Sequence, residues 1–181
     1  MLTITIPGID DWDEKTERFV TRVGEQTLRL EHSLVSLSKW ESKWHKSFLS
    51  SKSRTNEEIL DYIRCMTLTQ NVDPDVYYRL SDDNVREIKA YIDDPMTATT
   101  FSDDGNQKKS RETITAELIY YWMIVHQIPF ECRKWHLNQL LTLIQVCNVK
   151  NAPPKKRSKK DIMSQQAKLN AARKKQLGTR G

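Results

Sequence analysis

Alternating apolar and polar residues open the chain and predict a small sheet. In residues 2–6 three apolar side chains alternate with two threonines, which is the period of a strand with one buried face. Two further candidate strands, residues 19–23 and 27–31, are separated by three residues that include a glycine, so they are predicted to pair as a hairpin. Leu28 and Leu30 would share one face. We therefore expect a small antiparallel N-terminal sheet.

From Ser33 onward the apolar period lengthens to three or four residues, which predicts a series of short amphipathic helices. A capping box over residues 55–58 begins the second helix. The Asp-Pro pair at 73–74 and Ser81 begin two more, and Pro95 ends the last. The apolar stripes expected to face the core are Leu34, Leu37, Trp40 or Glu41, Trp44 and Phe48; Ile59, Leu60, Ile63 and Met66; and Val85, Ile88, Tyr91 and Ile92.

Two strongly apolar helices are predicted after a polar loop at residues 97–110. Pro129 separates them, and the second, from Trp135 to Cys147, has little polar surface. Helices of this kind are usually central in a core or lie in an oligomer interface. We therefore expect this pair to form the centre of the folded domain. The buried stripe predicted for the first helix comprises Ile114, Leu118, Tyr121, Trp122, Val125 and Ile128. We interpret four tryptophans as core anchors: Trp40, Trp44, Trp122 and Trp135.

These elements define an α+β fold that is predominantly α-helical, with a small N-terminal antiparallel sheet, a compact helical bundle and a basic C-terminal arm. The folded domain is predicted at residues 1–151 and the arm at 152–181, since a Pro-Pro pair at 153–154 opposes continuation of the preceding helix. Within the arm, Asp161 to Leu177 has helical composition, with Ser158 and Gly178 as predicted caps.

Charge separates these two parts more sharply than hydrophobicity does. The arm holds ten basic residues and one acidic residue, a net charge of +9; because the whole chain carries +5, the remainder carries −4. Only the arm is therefore a candidate polyanion-binding or partner-binding segment. It has no aromatic residue, so it does not support base-specific reading. The candidate binding residues are Lys155, Lys156, Arg157, Lys159, Lys160, Arg173, Lys174 and Lys175.

No catalytic constellation emerges from the sequence, so we expect a protein that is not an enzyme and uses no cofactor. The glycines of the body are isolated, which excludes a phosphate-binding glycine loop. Cys132 and His136 form the best metal-ligand pair, but their spacing departs from standard zinc sites, and we favour a buried thiol beside a core histidine. The odd number of cysteines, three, indicates reduced thiols rather than a disulfide framework.

The sequence predicts a soluble protein without a membrane partner. Its first residues have no cationic segment followed by a long apolar stretch, so no secretion signal is indicated. The most apolar run, residues 118–130, is interrupted by polar residues and is too short for a helix that crosses a bilayer core of about 30 Å.

Several segments resemble a family of small proteins from long-tailed bacteriophages, the tail assembly chaperones. The resemblance covers most of the chain and is carried by LIYYWMI at 118–124, IPFECRKWHLNQLLTLIQVCNVKN at 128–151, PPKK at 153–156, NAARKKQL at 170–177, LRLEHSLVSLSKWESKW at 28–44 and TLTQNVDP at 67–74.

The resemblance implies a non-enzymatic late protein that acts in the host cytoplasm during phage assembly. It would bind the tape-measure protein, keep its helical segments soluble, help recruit tail-tube subunits and leave the finished particle. Broad apolar helix faces suit such a role because they offer grooves to amphipathic helices. We also include a second copy of the same chain, in a homo-oligomer, among the expected partners.

Two alternative functions remain open at the level of the sequence. One is a virion structural component, such as a connector or tail-completion subunit. The other is a nucleic-acid-associated phage protein that acts through its basic arm, where binding would release counterions from phosphates.

Overall fold

Two separate antiparallel strand pairs form the N-terminal part of the fold. The computed structural model describes residues 1–51, 53–101, 112–152 and 159–178. Strand β1, Leu2–Ile6, pairs with β4, Gln26–Leu30. Strand β2, Ile9–Asp13, pairs with β3, Arg18–Val23.

The predicted hairpin between residues 19–23 and 27–31 is therefore wrong, although both segments are strands. The pairing of β1 with β4 brings two alternating apolar faces into register, with Ile4 opposite Leu28, and buries both residues. Strand β3 pairs instead with β2, whose three aspartates hid its strand character. The turn between them is held by the Asp13 carboxylate, which accepts a hydrogen bond from the Lys15 amide at 2.9 Å.

Helices occupy most of the remaining described chain, which confirms a helix-dominated α+β fold. The predicted caps Thr55 and Ser81 each accept a hydrogen bond at a helix start, and Ser33, which was not predicted as a cap, does the same for α1. The α-helices are α1, Leu34–Trp44; α2, Asn56–Met66; α3, Asp82–Asp93; α4, Ala116–Val125; α5, Leu137–Asn151; and α6, Lys159–Leu177. The 3-10 helices are Pro74–Arg79 and Phe130–Lys134.

The core lies between the β1–β4 pair and the helices that follow it. Backbone hydrogen bonds tie this pair to the next elements: the Glu31 amide donates to the Met66 carbonyl at 2.9 Å, and the Leu137 amide donates to the His32 carbonyl at 2.7 Å. The largest fully buried side chains include Trp40, Tyr62, Ile4, Ile6, Leu28, Leu30, Leu34, Leu37, Met66, Ile119, Met123 and Leu137.

The buried stripe predicted for α4 is only partly correct: Ile128 is buried and Leu118 and Trp122 are partly buried, but the other half of the stripe is exposed. Tyr121 and Val125 are exposed, whereas the residues that face the core are Ala116, Ile119 and Met123. Because α4 is apolar on nearly every side, its hydrophobic period could not indicate which face is buried.

The four predicted tryptophan anchors have different environments. Trp40 is fully buried and Trp44 and Trp122 are partly buried, but Trp135 is 41% exposed and is not a core anchor.

The chain divides into two compact units, Met1–Cys147 and Asn148–Gly181. The second contains the end of α5 and the whole of α6, whose described side chains are exposed. Among the described residues, no helix combines the length and the apolar character needed to cross a bilayer. Of the predicted polar loop, residues 97–101 have no regular helix or strand, and the rest lies outside the described residues.

Candidate functional site

A polar clamp between α1 and α2 fixes the position of α2. The Trp40 indole donates to the Glu58 carbonyl at 2.9 Å, and the Trp44 indole donates to the Asp61 carboxylate at 2.8 Å. Lys43 also pairs with Asp61, at 2.5 Å. Since both indole donors and both Asp61 oxygens have partners, rotation of α2 about its axis would break several bonds together.

An apolar groove lies beside this clamp, between α2 and α3. We call it the α2–α3 groove; it is a cavity of about 560 Å³. Three of its aliphatic side chains remain substantially exposed: Ile59 at 41%, Val85 at 40% and Leu49 at 37%. The apolar walls comprise Leu49, Ile59, Ile63, Val85, Ile88 and Ile92. The prediction that Ile59 and Val85 face the core is wrong, because both side chains line this cavity and are about two-fifths exposed.

Two aromatic residues, His32 and Tyr62, are also part of the groove lining. His32 Nδ1 and the Tyr62 hydroxyl are 2.6 Å apart. Burial, together with nearby His136, lowers the pKa of His32 to about 3, so this imidazole is neutral near neutral pH. A neutral imidazole accepts from the Tyr62 hydroxyl at Nδ1 in one tautomer and donates to it from Nδ1 in the other, so the pair is hydrogen-bonded in both.

The neighbouring imidazole of His136 is held in one tautomer by its partners. Its Nε2 donates to the Tyr91 carbonyl at 2.9 Å, and its Nδ1 accepts from the Asn138 amide at 3.3 Å. Both histidines are buried, and their ring centroids are 5.1 Å apart. Their bonds are to structural groups, so the pair orders the core rather than presenting a base to a substrate.

Two basic side chains line the α2–α3 groove. The Arg54 guanidinium lies 3.9 Å from the centre of the Phe48 ring, and it donates to the Phe48 carbonyl. Its Nε is buried and has no hydrogen-bond partner among the described residues. Lys89 is exposed on α3, and Asp93 is the acidic residue of the groove lining. The periodicity did not indicate Arg54, which precedes a helix; its only sequence signal was its position beside the capping box.

A second apolar surface lies on α4, and we call it the α4 ridge. Tyr121, Ile124 and Val125 are 60%, 60% and 54% exposed. Their spacing of three and four residues places them on one helix face. Phe130, in the following 3-10 helix, is 51% exposed, and its ring centroid is 6.5 Å from that of Tyr120. Neighbouring exposed side chains of this size make the ridge a candidate interaction surface.

The β2–β3 hairpin also exposes aromatic side chains. Trp12 and Phe19 are opposite each other, 52% and 72% exposed, with ring centroids 5.1 Å apart. They contact each other edge to face, an arrangement that stabilises a hairpin by roughly 0.5–1.5 kcal/mol.

Three of the candidate binding residues lie in the described part of the basic arm. Arg173, Lys174 and Lys175 are exposed near the end of α6, and because consecutive helical residues point about 100° apart, the three charges spread over about 200° of the helix circumference. Of the other predicted residues, Lys159 and Lys160 begin α6, and their side chains lie outside the described set, as do Lys155, Lys156 and Arg157 entirely.

Cys132 and His136, the pair with the most suitable ligand types for a metal, were expected to be a buried thiol beside a core histidine. Cys132 is buried, and burial raises the pKa of its thiol. His136 is the hydrogen-bonded core histidine described above. Within the part of the chain that the structure describes, no three histidine, cysteine, aspartate or glutamate side chains are grouped to hold a metal ion.

No protein-family model matches the sequence, and no curated protein or solved structure is significantly similar to it. The arrangement of groups on the molecule therefore carries the functional argument. Among the described residues, the α4 ridge and the α2–α3 groove are two exposed apolar surfaces on which such an argument can be built.

Proposed function

We propose that the protein is a non-enzymatic tail assembly chaperone of a long-tailed bacteriophage, which binds the tape-measure protein during tail morphogenesis in the host cytoplasm. The observation that carries this proposal is the α4 ridge, where three large apolar side chains of one helix face remain exposed. The sequence resemblance supplies the partner, and the ridge supplies a surface suited to it.

The ridge has the properties that a helix-binding surface needs. Burying apolar area contributes roughly 25 cal/mol per Å², so a row of half-exposed side chains gains substantially when a partner covers it. A long amphipathic helix presents residues at the same spacing of three and four positions, and two such faces pack side by side. A tape-measure helix of this kind would otherwise expose its own apolar stripe to water.

Affinity purification from infected cells tests the proposal. We expect the tagged full-length chain to co-purify with the tape-measure protein, together with tail-tube subunits, and to be absent from purified virions. Ile124→Glu, on the ridge, should abolish that co-purification because it places a charge in the contact. The matched control is Leu169→Glu, which changes a residue 54% exposed on α6 and should leave the interaction intact.

The same experiment separates the alternative functions. Finding the chain in stoichiometric amount in mature particles would contradict a chaperone and establish a virion structural component. The arm's net charge of +9 favours nucleic-acid binding as the second candidate function. If that is the function, nuclease treatment or deletion of residues 152–181 would remove the co-purified material, whereas Ile124→Glu would not.

A further inference from the structure

We propose that the α2–α3 groove is a docking site for an amphipathic helix that carries a carboxylate side chain, with Arg54 as the residue that binds this carboxylate. The inference rests on the proposed function because both assume a protein partner. It concerns a different surface from the α4 ridge. It assigns the chemical class of the segment that enters the groove.

Arg54 supplies the first argument, because it is a positioned cation without an anionic partner. Stacking on Phe48 and donation to the Phe48 carbonyl fix its guanidinium plane. Its Nε is buried and has no hydrogen-bond partner among the described residues, and no described carboxylate lies within 4.0 Å of the guanidinium. A carboxylate that enters the groove would form a charge-assisted hydrogen bond with the accessible part of this half-buried side chain.

The charge of the groove lining supplies the second argument. Arg54 and Lys89 are positive, Asp93 is negative and His32 is neutral, so the lining is net positive within a body whose net charge is −4. None of these groups forms an ion pair within 4.0 Å with another described residue. An acidic partner therefore complements this groove although it would be repelled by the body as a whole.

The construction of the walls indicates that the occupant is a helix. Most apolar lining residues belong to α2 and α3, whose backbone groups are already bonded within each helix, and they offer no free strand edge. An extended peptide would bury unsatisfied amides against these aliphatic walls, whereas a helix satisfies its own. Its leucine stripe would cover Leu49, Ile59 and Val85, and a flanking glutamate would reach Arg54.

Fluorescence anisotropy with the full chain and designed peptides tests this inference. The probe is a labelled amphipathic helix of about 18 residues, roughly five turns, with a leucine stripe flanked by glutamates. A second peptide has glutamine in place of each glutamate. A third is a scramble of the first that keeps its charge but has no stripe, which reveals binding to the basic arm alone. We expect the first peptide to bind at least about tenfold more tightly than the other two.

Substitutions assign the contact to the groove. Val85→Asp should weaken binding of the acidic helix at least about tenfold, while the matched control Val149→Asp, at an exposed position of α5, should not. Arg54→Gln should remove the preference for glutamate over glutamine, and Arg54→Lys should restore part of it. If Arg54→Gln does not fold, Lys89→Glu, at an exposed position, should reduce the same preference.

Equal binding of the glutamate and glutamine peptides, or unchanged binding by Val85→Asp, would overturn the inference. These outcomes are distinct from failure of the proposed function. If the peptides do not enter the groove but the tape-measure protein still co-purifies, only the inference fails. If the peptides bind as expected and no tape-measure protein co-purifies, only the proposed function fails.

Discussion

Helices α2 and α4 have similar lengths, 11 and 10 residues, and both pack against α1, but they are oriented by different means. Helix α2 buries the carboxylates of Glu58 and Asp61, and each has a specific donor. Helix α4 buries only apolar side chains and leaves others of the same kind in solvent. The polar bonds make α2 a fixed wall of the fold, whereas α4 retains an apolar surface available to a partner.

Among the described residues, the buried carboxylate that contacts α4 lies on α1. Glu41 accepts from the Ala116 amide at 2.7 Å, at the first turn of α4, and from the Phe48 amide at 2.8 Å. Burial raises the pKa of Glu41 despite these two bonds. Because this contact holds only the start of α4, it fixes where the helix begins but not which outward side chains a partner covers.

The largest expected effect concerns the clamp that orients α2. Trp40→Ala should lower the free energy of unfolding by about 3–5 kcal/mol, because it leaves a large cavity and removes the bond to the Glu58 carbonyl. Chemical denaturation followed by circular dichroism measures this change. Trp135→Ala is the matched control: its side chain is 41% exposed, and we expect a loss below about 1.5 kcal/mol. If the two variants lose similar amounts of unfolding free energy, the polar clamp does not contribute more to stability than an exposed tryptophan does.

The sequence predicted those elements whose signals are local. Residues 2–6 show their alternation directly, and the capping box at Thr55 needs only its own four residues, so both predictions are confirmed. The face of α4 was not predictable, because a helix that is apolar all round carries no internal mark of its orientation. Strand β2 was missed because its three aspartates do not look like strand residues. They fit here because the strand is exposed, and this exposure depends on the tertiary structure.

The candidate binding surfaces were predictable only in part. The apolar pair of helices was expected to be central in the core or to lie in an interface, and α4 leaves Tyr121, Ile124 and Val125 exposed. The α2–α3 groove was not expected, since helical spacing places Ile59 and Val85 on core stripes, whereas both line the cavity and are about two-fifths exposed. The role of Arg54 depends on its stacking on Phe48, six positions earlier, and no periodic pattern signals such a contact.

An intermediate effect, dependent on pH, tests the polar side of the comparison. Burial raises the pKa of Asp61, but hydrogen bonds from Lys43 and Trp44 and the charge of Lys43 outweigh it, so the pKa lies below its usual 3.8. A lowered folded-state pKa stabilises the protein above pH 3.8, and this stabilisation is lost as the pH falls toward the folded-state pKa.

Asp61→Asn should therefore cost about 1.5–3 kcal/mol near neutral pH. Its difference from the wild type should shrink as the pH falls below 3.8. Denaturation curves across this range measure both quantities, with exposed Asp10→Asn as the control that should change little. A difference that stays constant with pH would mean that the Asp61 charge is not what holds α2.

The smallest expected effect on stability tests the apolar side of the comparison. Ile124→Glu should change the free energy of unfolding by no more than about 0.5 kcal/mol, because this side chain is 60% exposed and is not among the buried core residues. Thermal and chemical denaturation of the purified chain measure the change. A loss above about 1 kcal/mol would show that the α4 ridge stabilises the isolated chain, and loss of partner binding by this variant could then reflect unfolding. If the stability is unchanged, any loss of partner binding by this variant is a direct effect on the ridge. The exposed apolar face of α4 would then serve partner binding, whereas the polar bonds of α2 serve stability.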